Sequence, residues 1–532
     1  MSMSHPPWTR RLVRRGTVAH AVAGAALVLA LLVTPAPALA GHTPAAIPRF
    51  TLFGWVAPPV SESTPARYAE LAGAGMNVAV LAWDDPQDRD VNLARLDLAA
   101  AVGLRCIIAD QRFDRVGALG IDTPEALVVV DSIVADYRDH AGFLGYTLGD
   151  EPKSDRWPDL AKAFRVLKAA DPEHPAWNNL SGFSNYDSLV WVADNTGYLD
   201  HVHPAILCND HYDFRIGYDV GRFVANVAGL RTWSLERDIP FWCIVQLVPH
   251  SAVRAITEGE LSWQVAMLLA YGARGVGYFT YWTPAPDPAL NWGPAIITYD
   301  GQRTAWYDVV SRLNVRVRAA GELLAGLTWV STQHAGSLPM GGEAFRGDDW
   351  LSAVDGRAAV GRFTDAAGVP YLLVVNSDSL ASREISLTLA GASGLSRLVT
   401  EPTGWQPQPA ERLGAELRVP LSLSAGEFGL FRIEGTFGDA GSRLGPTLAV
   451  APNPASDQVR FDATRLAGDA QVEVLDSAGR RLWSRPLSAG RASLTWQGER
   501  DAGGRAPAGI YFARVSDSRG SVTRRWAWLG GR

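Results

Sequence analysis

Between residues 50 and 330, short apolar runs alternate with stretches whose apolar positions recur at helical spacing. The strand-like runs are Phe50–Val56, Asn77–Trp83, Leu104–Asp110, Phe143–Gly149, Pro175–Leu180, Leu199–Ile206, Pro240–Val248 and Gly275–Trp282. Between them, segments such as Thr64–Ala72 and Leu160–Lys168 carry the i, i+3, i+4 pattern of amphipathic helices. Eight βα repeats over about 280 residues match the size of a (β/α)8 barrel. No glycine-rich phosphate loop follows the first run, which argues against a doubly wound open sheet. The predicted fold class is therefore α/β, with a TIM barrel over residues 41–330. Beyond residue 330 the period changes to two. Tyr371–Asn376, Glu384–Leu389, Glu416–Leu421 and Phe428–Ile433 read as strands of a β-sandwich over residues 331–435. A polar, glycine-rich linker spans 436–445. A third module, 446–532, has strand-like runs at Gln458–Asp462, Ala470–Leu475, Ser493–Trp496 and Gly509–Val515.

The first forty residues follow another rule. Arg10, Arg11, Arg14 and Arg15 precede an apolar stretch from Val18 to Val33, and Ala38-Leu39-Ala40 offers a small-residue cleavage site. This order predicts a signal peptide over residues 1–40, hence a secreted or cell-surface protein; an uncleaved anchor is the other reading. No other stretch is long and apolar enough to span a membrane. Cleavage removes four Arg and no acid, taking the formal charge from −6 to −10. Such a chain has no electrostatic reason to bind nucleic acid or anionic membranes. Cys106, Cys208 and Cys243 cannot build a disulfide framework; one bridge, Cys208–Cys243, is conceivable. No cofactor is called for.

The third module carries Ala451-Pro-Asn-Pro-Ala455, Val474-Leu-Asp-Ser-Ala-Gly479, Trp496-x-Gly498, Asp501-x-Gly503 and Pro507-Ala-Gly-Ile-Tyr511 in order. On these motifs it resembles the Ig-like domains of the flagellar hook-capping type and the C-terminal sorting modules of secreted bacterial enzymes. The resemblance implies a partner in secretion or cell-surface machinery and no catalysis. The lysine-rich tail of many sorting modules is missing.

Candidate chemistry centres on Gly149-Asp150-Glu151-Pro152, where two acids close an apolar strand. Buried carboxylates are costly unless paired or in use. Side chains alternate along a strand, so Gly145, Thr147, Gly149 and Glu151 share the barrel-facing parity. Glu151 is expected to point toward the axis at the C-terminal mouth. Asp150 joins it only if the strand end is bent. The competing assignment is that both acids merely cap the next helix.

In these features residues 50–330 resemble the retaining (β/α)8 glycoside hydrolases, whose acid/base Glu ends strand four in an Asn-Glu-Pro-like motif. The resemblance implies Glu151 as acid/base, Trp282 in Tyr281-Trp-Thr-Pro284 as a sugar platform, and His203 as a polar substrate contact. Those enzymes carry a nucleophilic Glu at the end of strand seven, where this chain has Gln246. An amide cannot serve there. Glu258 and Glu260 lie further on, where Thr257-Glu-Gly-Glu260 fits a helix capping box. Asp84-Asp85 or Asp110 are alternative second carboxylates. Alternatively, Asp150-Glu151 is similar to the Gly-Asp-Glu of β-N-acetylhexosaminidases. That similarity implies that Asp150 orients a nucleophilic substrate acetamido group while Glu151 protonates the leaving oxygen.

Trp55, Trp83, Tyr281 and Trp282 end strands and are candidate stacking surfaces, and Asn178, Asn179 and Gln246 are candidate hydroxyl partners, each against ordinary packing or capping. His201-Val-His203, with Asp210 and His211, is a candidate metal set if the first two share a strand face. No Gly-x-Ser-x-Gly elbow supports a serine hydrolase. The expectation is a secreted glycoside hydrolase acting on carbohydrate. The alternative is a non-catalytic envelope protein that binds glycans on a degenerate barrel.

Overall fold

A computed structural model describes residues 47–81, 88–183, 188–435 and most of 447–530. The expected signal segment and linker lie outside the described residues.

Eight parallel strands close a barrel: β1 Thr51–Gly54, β2 Val78–Leu81, β3 Arg105–Ile108, β4 Phe143–Asp150, β5 Ala176–Ser181, β6 Leu207–His211, β7 Phe241–Gln246 and β8 Gly275–Phe279. Each pairs with the next, and β8 returns to β1 with Thr51 opposite Gly275. The strands are buried almost throughout, as a sheet covered by helices and filled inside requires. Three inward rings fill the interior: Trp242 lies 5.6 Å from Phe53 and 6.2 Å from Trp177, centroid to centroid. The rings fit because β8 presents glycines to them. A Cβ on Gly275 would lie 2.5 Å from the Trp242 ring, and one on Gly277 would lie 2.4 Å from Phe53.

Around the barrel run α1 Pro65–Gly73, α2 Arg89–Ala100, α3 Arg112–Leu119, α4 Pro124–Tyr137, α5 Trp157–Ala170, α6 Ser188–Val202, α7 Phe223–Arg237, α8 Glu258–Ala270 and α9 Ala305–Leu324. Thr64, Asp88, Thr123, Thr257 and Thr304 each accept a backbone N–H at a helix N-terminus. Thr257 and Glu260 form the expected capping box, so Glu260 starts a helix and takes Arg254 at 2.6 Å.

The sixth strand needs correcting. The run Leu199–Ile206 begins inside α6, where Asn195, Tyr198, Leu199 and Val202 form one buried helical face. Pro204 follows the helix end, and the strand starts only at Leu207. His201 therefore sits on the helix, its Nδ1 donating to Gly197 O at 2.7 Å. Exposed His203 follows that helix, at the end of the barrel opposite the mouth. The two rings share no strand face, and His203 is no mouth contact.

After the barrel comes a seven-stranded sheet that includes Thr328–Ala335, Ala358–Thr364, Pro370–Asn376 and Phe428–Glu434, and a four-stranded sheet including Arg383–Ala390 and Glu416–Leu423. The two pack face to face through Leu372, Val374 and Phe431 against Leu387, Val419 and Leu421. The other face of the larger sheet gives Ala359, Phe363, Leu373 and Val375 to the barrel's own core. At the C-terminal end of α8 the Ala270 carbonyl accepts from Trp329 Nε1 at 3.1 Å and Thr332 Oγ1 at 2.7 Å. A helix-end carbonyl that would otherwise go unpaired is satisfied by the next domain.

The C-terminal residues form a three-stranded and a four-stranded antiparallel sheet around Phe461, Trp483, Trp496, Trp526 and Trp528. All three cysteines are buried and free. Cys208 faces Asn179 inside the barrel, whereas Cys243 reaches Asn209 and, on α7, Asn226. The two thiols project from opposite faces of the sheet, which rules out the conceivable bridge.

At the barrel–sandwich junction, a Cβ at Gly361 would lie 2.6 Å from the Ala270 carbonyl oxygen. Gly361→Leu is expected to loosen the sandwich from α8 at a cost of about 1–3 kcal/mol. Thermal unfolding should show a lower Tm, and limited proteolysis faster cutting within residues 331–435; unchanged values in both would contradict the packing.

Candidate active site

The end of β4 departs from simple alternation. Thr147 stands opposite Trp177, but the next register pair is Asp150 with Asn179, so three β4 residues span two on β5. This bulge falls at Gly149, whose φ of 121° is open to glycine but strained for other residues. Asn178 fastens it from outside the barrel, donating to Gly149 O at 2.8 Å and accepting from Tyr198 OH at 3.2 Å.

The bulge turns Asp150 inward, where Asn179 Nδ2 donates to Asp150 Oδ1 at 2.9 Å. Glu151 follows with φ 42°, its N–H bonded to Asn179 O at 2.8 Å. A non-glycine residue in this left-handed region costs on the order of 1 kcal/mol.

The third acid comes from β6. Cys208 and Asp210 share the inward parity of that strand, and Asp210 lies within the fields of both Glu151 and Asp150. The Tyr212 hydroxyl hydrogen-bonds Asp210. Burial, then the Glu151 charge, raises the Asp150 pKa to about 7. The Asp210 carboxyl is pushed well above the ordinary range by burial first, then by Glu151 and Asp150. All three residues keep partial exposure, and their charges act on one another, while Glu151 also borders a small cavity against Trp157 of α5 and Tyr198 of α6. Such a cluster retains a proton near neutral pH.

Beside the acids lies an aromatic shelf. Tyr212 stands 5.2 Å from Phe279 at the end of β8, and Phe279 stands 5.3 Å from His250 and 5.9 Å from Trp292. Each of these four residues is partly exposed.

Several expected site residues sit elsewhere. Asp110 is buried and spent on structure. It accepts Tyr137 OH at 2.6 Å and Arg112 Nη2 at 2.8 Å, on the helix side of the barrel. Gln246 is fully buried: its amide accepts from Phe214 N at 3.0 Å and donates to Phe214 O and Arg254 O at 3.1 and 2.9 Å. It ties down the loop after β6, leaving no polar atom for a substrate. Trp282 is 2 % exposed beneath Tyr299 O, with Arg67 of α1 over its ring at 5.2 Å. Tyr281 is fully buried, in the field of Glu70 of α1 and Tyr307 of α9. Neither ring is a platform at the mouth. Trp55 packs 5.5 Å from Trp177 within the barrel. His211 turns outward to Asp213 at 3.0 Å. Asn179 does reach the acids, as a partner of Asp150 rather than a free sugar contact. Trp83, Asp84 and Asp85 lie outside the described residues.

Asp210, Tyr212, His250, Phe279 and Trp292 are the mouth residues that pattern reading passed over or placed differently. One signal was present: Pro204 follows a helix end, so the apolar Leu207-Cys208 opens the strand and Asp210-His211 closes it. Phe279 and Trp292 had none, since strand eight was expected to run on to Trp282. A cavity of about 500 Å³ lies apart from the acids, between α9 and Gly394–Thr400. There Arg316 and Arg397 pair with Glu427 at 2.8 and 3.1 Å.

Residues 447–521 match the FlgD Ig-like domain. No curated protein sequence matches the chain. Among solved structures, a β-galactosidase from Bacillus circulans is 9 % identical, covering 74 % of this chain and 100 % of its own, with a TM-score of 0.47. A family 5 glycoside hydrolase from Bacteroides vulgatus is 12 % identical over 74 % of this chain and 93 % of its own, at 0.46. A β-galactosidase from a psychrophilic Marinomonas is 11 % identical over 52 % of this chain, at 0.41; the chain spans 62 % of that enzyme's length. Likeness of this degree passes no activity to the chain.

Two outcomes follow from the electrostatics. The folded state holds a proton on Asp150 between the ordinary value of 3.8 and about 7 that the unfolded chain has released. That contribution to stability is complete below about pH 4 and lost as pH rises through about 7. Asp150→Asn should therefore gain Tm relative to wild type between pH 4 and 8, at about 2–4 °C per kcal/mol of repulsion relieved; parallel pH–Tm curves would refute the crowding. Gln246→Glu sets a carboxylate against two carbonyl oxygens and should cost on the order of 3 kcal/mol, read by urea unfolding.

Proposed function

We propose that this chain is an exported glycoside hydrolase that cleaves an oligo- or polysaccharide by carboxylate acid/base catalysis. The observation that carries the reading is the meeting of Asp150, Glu151 and Asp210 at the C-terminal mouth of a closed (β/α)8 barrel, beside an aromatic shelf. Catalytic groups of such barrels lie at this face. Glycosidic cleavage needs a carboxyl that still holds its proton at working pH and a second anion nearby, and mutual repulsion supplies both from one cluster.

In this reading the proton shared among the three carboxyls passes through Glu151 to the leaving oxygen, and the cluster later recovers a proton from water. Asp150, held by Asn179, faces the anomeric side, and Asp210 completes the charge set in place of the missing strand-seven acid. On N-acetylhexosaminides the Asp150 carboxylate accepts from the acetamido N–H and so orients the group, whose carbonyl oxygen attacks the anomeric carbon, so no protein nucleophile is needed. Gln246, sealed into the backbone of a neighbouring loop, is compatible with that route. The N-terminal segment directs export, and the FlgD-type module attaches or routes the enzyme at the cell surface.

A panel of chromogenic glycosides that includes a β-N-acetylglucosaminide tests the reading. Wild type should cleave at least one member, with Glu151→Gln, Asp150→Asn and Asp210→Asn each lowering kcat by about 10²–10⁴-fold. Cleavage of the N-acetylglucosaminide but not the matching glucoside supports the substrate-assisted route. A protein that binds glycans and cleaves none is the non-catalytic alternative, for which the amide at position 246 is the supporting observation.

A further inference from the structure

The loops after β7 and β8 hold an imidazole that the acid cluster does not use. His250 Nδ1 lies 3.0 Å from the Val248 carbonyl oxygen. A carbonyl only accepts, so Nδ1 carries the ring proton. Burial, with Arg215 as the nearby cation, lowers the His250 pKa and keeps the ring neutral. Nε2 is then an unprotonated acceptor.

The ring is held by its backbone, by Val248 O and by three aromatic neighbours, and stays partly exposed. Its backbone exchanges hydrogen bonds with Val253 at 3.1 and 2.7 Å. Trp292 lies 4.9 Å from it, Phe279 5.3 Å, and Tyr212 5.7 Å edge-on. The two loops are stitched together by Ser251 N to Leu290 O at 2.6 Å and Gly293 N to Pro249 O at 2.8 Å. Gly293 is needed for that approach, since a Cβ there would meet the Pro249 ring at 2.4 Å. Through Tyr212 the assembly adjoins Asp210.

A fixed acceptor set among partly exposed rings suits a ligand with hydroxyl donors and an apolar C–H face, which describes a sugar ring. We infer that His250 is the specificity-determining residue of a sugar subsite on this shelf, its Nε2 accepting from a ring hydroxyl while Trp292 and Phe279 take the apolar face. The inference rests on the carbohydrate reading of the mouth and deepens it.

His250→Phe keeps a ring on the shelf and removes both the Nε2 acceptor and the Nδ1–H donor to Val248 O; His250→Gln restores an acceptor oxygen without the ring. On the chromogenic glycoside that wild type cleaves best, assayed well below the Tm of both proteins, H250F should lose about 10–100-fold in kcat/KM, mostly through KM, while Tm falls by only the few degrees that loss of the hydrogen bond to Val248 O accounts for. H250Q should recover part of that loss. Affinity electrophoresis in gels containing soluble polysaccharides reads binding without catalysis, and H250F should be retained less than wild type. Equal kcat/KM and retention for H250F and wild type overturn the inference, as does an equal loss in H250F and H250Q or a loss that vanishes when both proteins are assayed well below the Tm of H250F. If wild type cleaves no glycoside but is retained more than H250F, the subsite stands and the hydrolase reading falls. If wild type neither cleaves nor is retained, both fall.

Discussion

Repulsion among three carboxyl groups at one end of a barrel opposes folding, and partial burial adds to the cost. Each acid is held there by something specific. Asp150 is turned in by the bulge at Gly149 and met by Asn179, Glu151 is fixed through its own N–H, and Asp210 is hydrogen-bonded by Tyr212. The protonation state of the mouth follows from this crowding, as does any acid chemistry performed there.

The frame that withstands the repulsion is large and dry. Trp242, Phe53 and Trp177 fill the barrel below the acids, and the sandwich continues the same core across α8 and α9. Burial of apolar surface on this scale returns about 25 cal/mol per Å². Polar fittings then fix orientation. Gln246 ties β7 to the loop after β6, and Asp110, with Arg112 and Tyr137, locks β3 to α3 and α4. These two residues carry the chemistry expected of a site and are used as structural ties. Residue type at a strand end does not reveal which way the side chain turns.

Above the acids, the clasp between the loops after β7 and β8 gives the mouth a second, uncharged character. Its rings sit on one side of the cluster, so the mouth has an aromatic wall beside a carboxyl floor. The FlgD-type module has its own tryptophan-rich core and adds no group to this mouth among the described contacts.

Much of the fold was legible because it depends on local periodicity. Alternation of apolar runs with helical spacing, repeated eight times and with no glycine-rich phosphate loop, points to a βα barrel, and Gly-Asp-Glu-Pro marks the acids because two adjacent carboxylates ending a buried strand are costly unless paired or in use. The mouth was legible only in part. One bulged residue decides that Asp150 turns inward, and no pattern of period two encodes a bulge. Strand six was misplaced because the apolar face at the end of a helix reads like a short strand, and with it Asp210 lost its place beside Glu151. Trp282 and Tyr281 hold the strand-end positions of sugar platforms but are buried beside Arg67 and Glu70 of α1 and Tyr307 of α9. The sequence by itself therefore determined the elements, their order and one acidic pair. Which side chains meet at the mouth was decided by tertiary structure alone, since strand direction, bulge and loop closure arise only from contacts between segments far apart in the chain.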